Sequence, residues 1–183
     1  VIVGSVGTFV RRKILVQIGG FDENLGHKVD DIDLGWRIWI AGYKTLNFPQ
    51  AIAYHWGGKP QSARSISSLK SEIYFNRMPR VFLKNYEVAN LVKFLPWLLT
   101  LHLLRGFKHL LAGNPKPILG YLIALFQSMY ELSDTLRQRA KIQFNRKMSD
   151  NELKNRIMVG GNIFSTWKKY VISTHQTATR VFS

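Results

Sequence analysis

Gly19-Gly20-Phe21-Asp22-Glu23, followed by Asp30-Asp31-Ile32-Asp33-Leu34-Gly35-Trp36-Arg37, is the stretch on which the reading of this chain turns. It holds five of the eleven acidic residues in a 183-residue chain whose formal net charge is +15. A glycine turn leads into clustered carboxylates, and these lead into an amphipathic helix. Two readings stand side by side. Carboxylates this close can strengthen one of their number as a proton acceptor, which makes a candidate site. Acidic residues are also what the first turn of a helix favours, because the helix dipole is positive there.

Upstream, Arg11-Arg12-Lys13 opens a short helix that runs through Ile18 and stops at Gly19-Gly20. Val1–Val3 and Thr8–Val10 are β-prone pieces separated by glycines. Downstream, Asp30 or Asp31 caps a helix that runs to about Ala41 and ends at Gly42. Within it Ile32, Trp36, Trp39 and Ile40 recur at helical spacing and are expected in a core. Asp33 and Arg37 stand four apart and read as a surface ion pair. Tyr43–Phe48 and Ala51–His55 read as two short strands broken by Pro49. A Gly- and Ser-rich loop follows, and then a basic helix from about Ile66 to Tyr86.

The charge is unevenly placed. Residues 1–58 carry six Lys/Arg against five Asp/Glu, whereas residues 59–183 carry twenty against six. A basic second half calls for an anionic counter-surface, lipid or nucleic acid. From Leu91 onward, Val92, Leu95, Leu99, Leu103, Phe107 and Leu110 form an apolar stripe with Lys93, Arg105 and Lys108 to one side. A second apolar segment, Pro117 to Tyr130, follows a break at Gly113-Asn114-Pro115. The longest charge-free runs, Phe94–Leu104 and Pro117–Tyr130, fall short of the roughly 20 apolar residues that cross a bilayer. Helices lying in the membrane interface are therefore expected, with a shallow hairpin or a true span as the rival. Ser149-Asp150-Asn151-Glu152 has the form of a capping box, and the tail from Gly160 shows little periodicity. With no cysteine, disulfides and thiolate metal sites are excluded.

Taken in order, Gly4, Arg11-Arg12, Gly19-Gly20-Phe21-Asp22-Glu23, Asp30-Asp31-Ile32-Asp33-Leu34-Gly35-Trp36-Arg37, Gly42-Tyr43 and His55 resemble the second half of family 2 glycosyltransferases, closest to rhamnosyltransferase-like members. The likeness covers about residues 1–85, and the helices beyond look like the membrane-associated extension that many members carry. It implies an α/β domain of the GT-A type that passes a sugar from a nucleotide donor to a glycan or lipid-linked acceptor with inversion. Asp31 would be the catalytic base, with Asp30 and Asp33 as its electrostatic setting. Asp22, Glu23, Asp30, Asp33 and His55 are carried as acceptor-side candidates, with turn former as the plain alternative for Asp22 and Glu23 and structural histidine for His55. The acidic pair departs from the family's usual Glu-Asp, since position 30 is Asp. A divalent cation, Mg or Mn, is implied as well, with its main ligands expected upstream of Val1.

The resulting division is an acceptor-side half over 1–88, amphipathic membrane-associated helices over 89–132 and a basic helical tail over 133–183. The expected setting is the cytoplasmic face of a membrane with anionic lipid as partner. The competing reading is a non-enzymatic basic module for membrane or nucleic acid. Nucleic-acid binders interleave basic and aromatic residues on one groove or sheet, whereas here the basic residues flank apolar stripes, which points to lipid and away from nucleic acid.

Overall fold

The computed structural model describes residues 7–48, 50–54 and 66–157. Eight helices run through them: α1 (Arg12–Ile18), α2 (Asp30–Ile40), α3 (Ile66–Phe75), α4 (Met78–Asn85), α5 (Val88–Leu111), α6 (Lys116–Tyr130), α7 (Leu132–Phe144) and α8 (Asp150–Ile157). A 3-10 turn at Glu23–Leu25 lies between α1 and α2.

The α/β expectation is overturned: the described residues are all-α and contain no strand. Residues 43–48 and 51–54 have β-prone side chains, but among the described residues no segment offers them a hydrogen-bonding ladder. They run instead as irregular chain with Leu46 88 % and Tyr54 95 % exposed. Thr8–Val10 is likewise irregular, while Val1–Val3 and His55 lie outside the described residues.

Helix ends follow local chemistry. Gly19 (φ 86°) ends α1, with its own N–H on Val16 O and that of Gly20 on Leu15 O. Gly42 (φ 83°) ends α2 in the same way, bonding Trp39 O while Tyr43 N–H takes Ile38 O. Only glycine adopts these angles without strain. The expected single helix over 66–86 is two helices. Pro79 has no N–H for the carbonyl of Phe75 and its ring crowds that group, so it sits in the first turn of a new helix. The capping box forms as read, Glu152 N–H reaching Ser149 Oγ at 3.2 Å and Ser149 N–H reaching Glu152 Oε2 at 2.8 Å.

α2 is the hub, because three of its faces serve three apolar clusters. Ile32 and Trp36 rest on Leu25, Val29, Met78, Val81, Phe82, Tyr86 and Leu98. Trp39 and Ile40 pack with Met148 and Leu153, and Leu34 and Ile38 with Leu15, Ile18 and Tyr43. Each such side chain contributes about 1.5–3 kcal/mol on burial. Trp36 stands edge-on to Tyr86 at 4.5 Å and to Phe82 at 6.0 Å between ring centroids.

The C-terminal helices clamp this hub. Lys147 N–H takes the last carbonyl of α2, Ile40 O, at 2.8 Å. Arg139 and Gln143 of α7 satisfy the orphan carbonyls at the end of α4, on Leu83, Lys84, Asn85 and Tyr86. Glu87 and Asp150 cap each other's helices: Asp150 Oδ2 accepts from Glu87 N–H at 2.9 Å, and Glu87 Oε2 accepts from Asp150 N–H at 3.0 Å. α5 and α6 form an antiparallel hairpin laid over α3 and α4. No helix among the described residues is long and apolar enough to cross a membrane, so a transmembrane α5 or α6 is set aside.

Candidate functional site

The acidic segment divides into two sets of carboxylates with different fates. Asp22 follows the Gly19-Gly20 turn and caps the 3-10 turn, accepting from Asn24 N–H at 3.1 Å. Its other partners are cations of α4: Arg80 Nε on Oδ2 at 2.9 Å, Arg80 on Oδ1 at 3.2 Å, and Lys84 on Oδ2. Burial alone would raise its carboxyl, but the hydrogen bonds from Arg80 and the charge of Lys84 outweigh that and hold it far below the usual carboxylate range. Asp33, one turn into α2, is fully buried. It accepts from Arg37 Nε at 2.8 Å and Asn85 Nδ2 at 2.8 Å, and pairs with Lys84 at 3.0 Å.

The expected surface pair Asp33–Arg37 is therefore a buried one, and it reaches further than a single bond. Arg37 also donates to Ile18 O and Gly20 O, both at 2.7 Å, which ties α2 back to the glycine turn. On the far side, Arg77 meets Glu131, and Arg80 meets Asp134 at 2.6 Å and Glu131 at 3.4 Å. Four cations, Arg37, Arg77, Arg80 and Lys84, thus face four carboxylates, Asp22, Asp33, Glu131 and Asp134. This neutralises Asp33 as a charge beside Asp31. The acceptor-side candidates Asp22 and Asp33 are fixtures of the fold.

Asp30 and Asp31 remain half-buried on the first turn of α2, and Glu23 is exposed. Asp31 Oδ1 accepts from Ile32 N–H at 2.8 Å. All of the first-turn acids gain from the helix dipole, so the cap reading and the site reading coexist in one turn. Trp36 and Trp39 are core residues, the latter bonded to Thr45 Oγ1 at 2.9 Å. His55, the remaining candidate, lies outside the described residues.

Arg77, Arg80 and Lys84 escaped the sequence reading, in which they belonged to a generic basic helix. A signal was present. They recur at i, i+3 and i+7 on one stripe, and Glu131, Asp134 and Gln138 repeat that spacing on α7. The implied divalent cation does not fit this segment. The oxygens of Asp22 and Asp33 are committed to cations and amides, and among the described residues no group of three or more His, Asp or Glu is arranged to hold a metal. No known protein family matches the chain, and neither the curated proteins nor the solved structures yield a match.

Proposed function

We propose that the chain is the acceptor-side part of an inverting glycosyltransferase in which Asp31 is the base. The reading rests on the ordered motif set around the acidic segment. Its main support is the division of labour among the carboxylates: Asp22 and Asp33 lock α2 in place, and Asp31 is carried on the first turn of that locked helix. A base must be held by something rigid and still be reachable, and a half-buried carboxylate on a clamped helix meets both needs.

In the proposed step a hydroxyl of the acceptor glycan gives its proton to the Asp31 carboxylate as its oxygen attacks the anomeric carbon of the donor. The bond from that carbon to the nucleoside diphosphate breaks, and the diphosphate leaves with the electron pair. Attack from the face opposite the leaving group inverts the anomeric centre. Donor binding is assigned to no described residue, and no step is routed through a metal.

The competing reading as a nucleic-acid module is weakened by the burial of Arg37, Arg77, Arg80 and Lys84 in ion pairs, since these cations are spent inside the protein. The deciding experiment uses the complete gene product and follows nucleoside diphosphate release from UDP-, GDP- and dTDP-sugars. Asp31→Asn is expected to lower turnover by about 10²- to 10⁴-fold with donor binding retained. Turnover near that of the parent would remove Asp31 from the mechanism.

A further inference from the structure

We infer that the outward face of the α5–α6 hairpin is a docking surface for an anionic bilayer, on which both helices lie flat. The two helices rest on one stretch of chain, the end of α3. His102 of α5 bonds Asn76 and stacks on Phe75, and Arg105 pairs with Glu72 at 2.8 Å. Gly120 of α6 meets the same place, for a Cβ there would come within 2.6 Å of Glu72 Cβ and 3.1 Å of Ile73 N. With both inner faces on residues 72–76, both outer faces look the same way.

That outer side carries Leu104, Phe107 and Leu111 on α5 and Leu122, Phe126 and Met129 on α6, each at least half exposed. Six large apolar side chains on one side exceed the scattered singles ordinary on a water-facing surface, where the largest patch is about 300–600 Å². Cations accompany them at helical spacing. Lys108 lies four residues from Leu104 and from Leu111 by three, and Lys93 lies four residues before Trp97. Lysine stems cover apolar surface while their ammonium groups reach outward, which suits headgroups at the rim of a buried apolar stripe.

The chemistry selects the occupant. A second copy of a chain with net charge +15 brings like charge to like charge, whereas a surface of acidic phospholipid answers both the apolar stripe and the lysines. Since no helix among the described residues can cross, the geometry is in-plane. This inference stands apart from sugar transfer, and its readout needs no donor.

The test is flotation of the full chain with vesicles of phosphatidylcholine alone and of phosphatidylcholine mixed with phosphatidylglycerol, alongside sedimentation velocity. The parent is expected to float with the mixed vesicles and far less with the neutral ones, more weakly as salt rises. Phe107→Glu with Phe126→Glu should cut binding at least about tenfold while the helical circular dichroism stays unchanged. Lys93→Glu with Lys108→Glu should cut binding to mixed vesicles by about fivefold per charge removed, and leave neutral vesicles unaffected. Undiminished flotation of the Phe variant, or no flotation of the parent, overturns the inference. So does a dimer in sedimentation that the Phe variant dissociates when no vesicles are bound.

Discussion

Between α2, α4 and α7 charge is on the inside, and on the α5–α6 hairpin hydrophobe is on the outside; each region reverses the usual arrangement, and for a different reason. In the first region a short acidic loop and a helix are fixed by four cations that lose water to do so, and the cost of that desolvation is offset by near-complete pairing. In the second, apolar side chains keep their contact with solvent although the inner face of the same helices is well packed. An inside that is ionic specifies one geometry, because each guanidinium has a small set of acceptors. An outside that is apolar leaves the occupant to be supplied by something else.

The largest effect that separates the regions is expected at Arg80. Arg80→Met leaves Asp22 buried without its bidentate partner and is expected to cost about 3–5 kcal/mol in urea unfolding followed by circular dichroism. A loss under 1 kcal/mol would mean that the network is not what holds α4 to the acidic loop.

Acid tests both regions at once. Burial, with Arg105 nearby, pushes the His102 imidazole down to about 3, and Asp22 is held below its ordinary 3.8. In both cases the unfolded chain takes up protons at higher pH than the folded one. Stability is thus full above the free histidine value of 6.5, and falls first as unfolded histidine charges between 6.5 and about 3. The Asp22 contribution is present above 3.8 and is lost as pH drops below it. Unfolding free energies from urea titrations at a series of pH values are expected to decline with a limiting slope of about 1.4 kcal/mol per unit from histidine. His102→Leu should flatten the upper part of that decline and leave the part below about pH 3. An unchanged profile in this variant would place the proton uptake elsewhere.

The smallest effect belongs to the seam between hairpin and body. Gly120→Ala forces a methyl against Glu72 and the Ile73 backbone and is expected to cost about 1–3 kcal/mol. A neutral result in thermal unfolding would show that α6 can ride away from α3 at little cost, which would weaken the argument that both outer faces share one side.

Much of the helical order could be read from residues near each other in sequence. Gly19-Gly20 and Gly42 end helices where they stand, and Ser149 with Glu152 starts one, because these signals act within a single turn. The β reading of Tyr43–Phe48 failed for the opposite reason. A strand exists only with a partner, and side-chain preference cannot supply one. The same limit hid the site's electrostatics. Asp22 and Arg80 are 58 residues apart, so the segment could be seen as acidic but its neutralisation could not. What the spacing did carry was which carboxylates ride on α2, and folding then sorted Asp33 to the interior and Asp30 and Asp31 to its first turn.

Arg37 is a clasp between α2 and the glycine turn before it. Its guanidinium grips Asp33 and the carbonyls of Ile18 and Gly20, spanning 17 to 19 residues of chain. In a protein with no cysteine it acts as a cross-link of the kind a disulfide makes elsewhere, but one indifferent to redox conditions. A lysine cannot replace it, since one ammonium lacks the planar fork that serves three acceptors in fixed directions. The clasp is also vulnerable in its own way: dissolved guanidinium ions offer the same fork to the same oxygens, whereas urea does so without the charge.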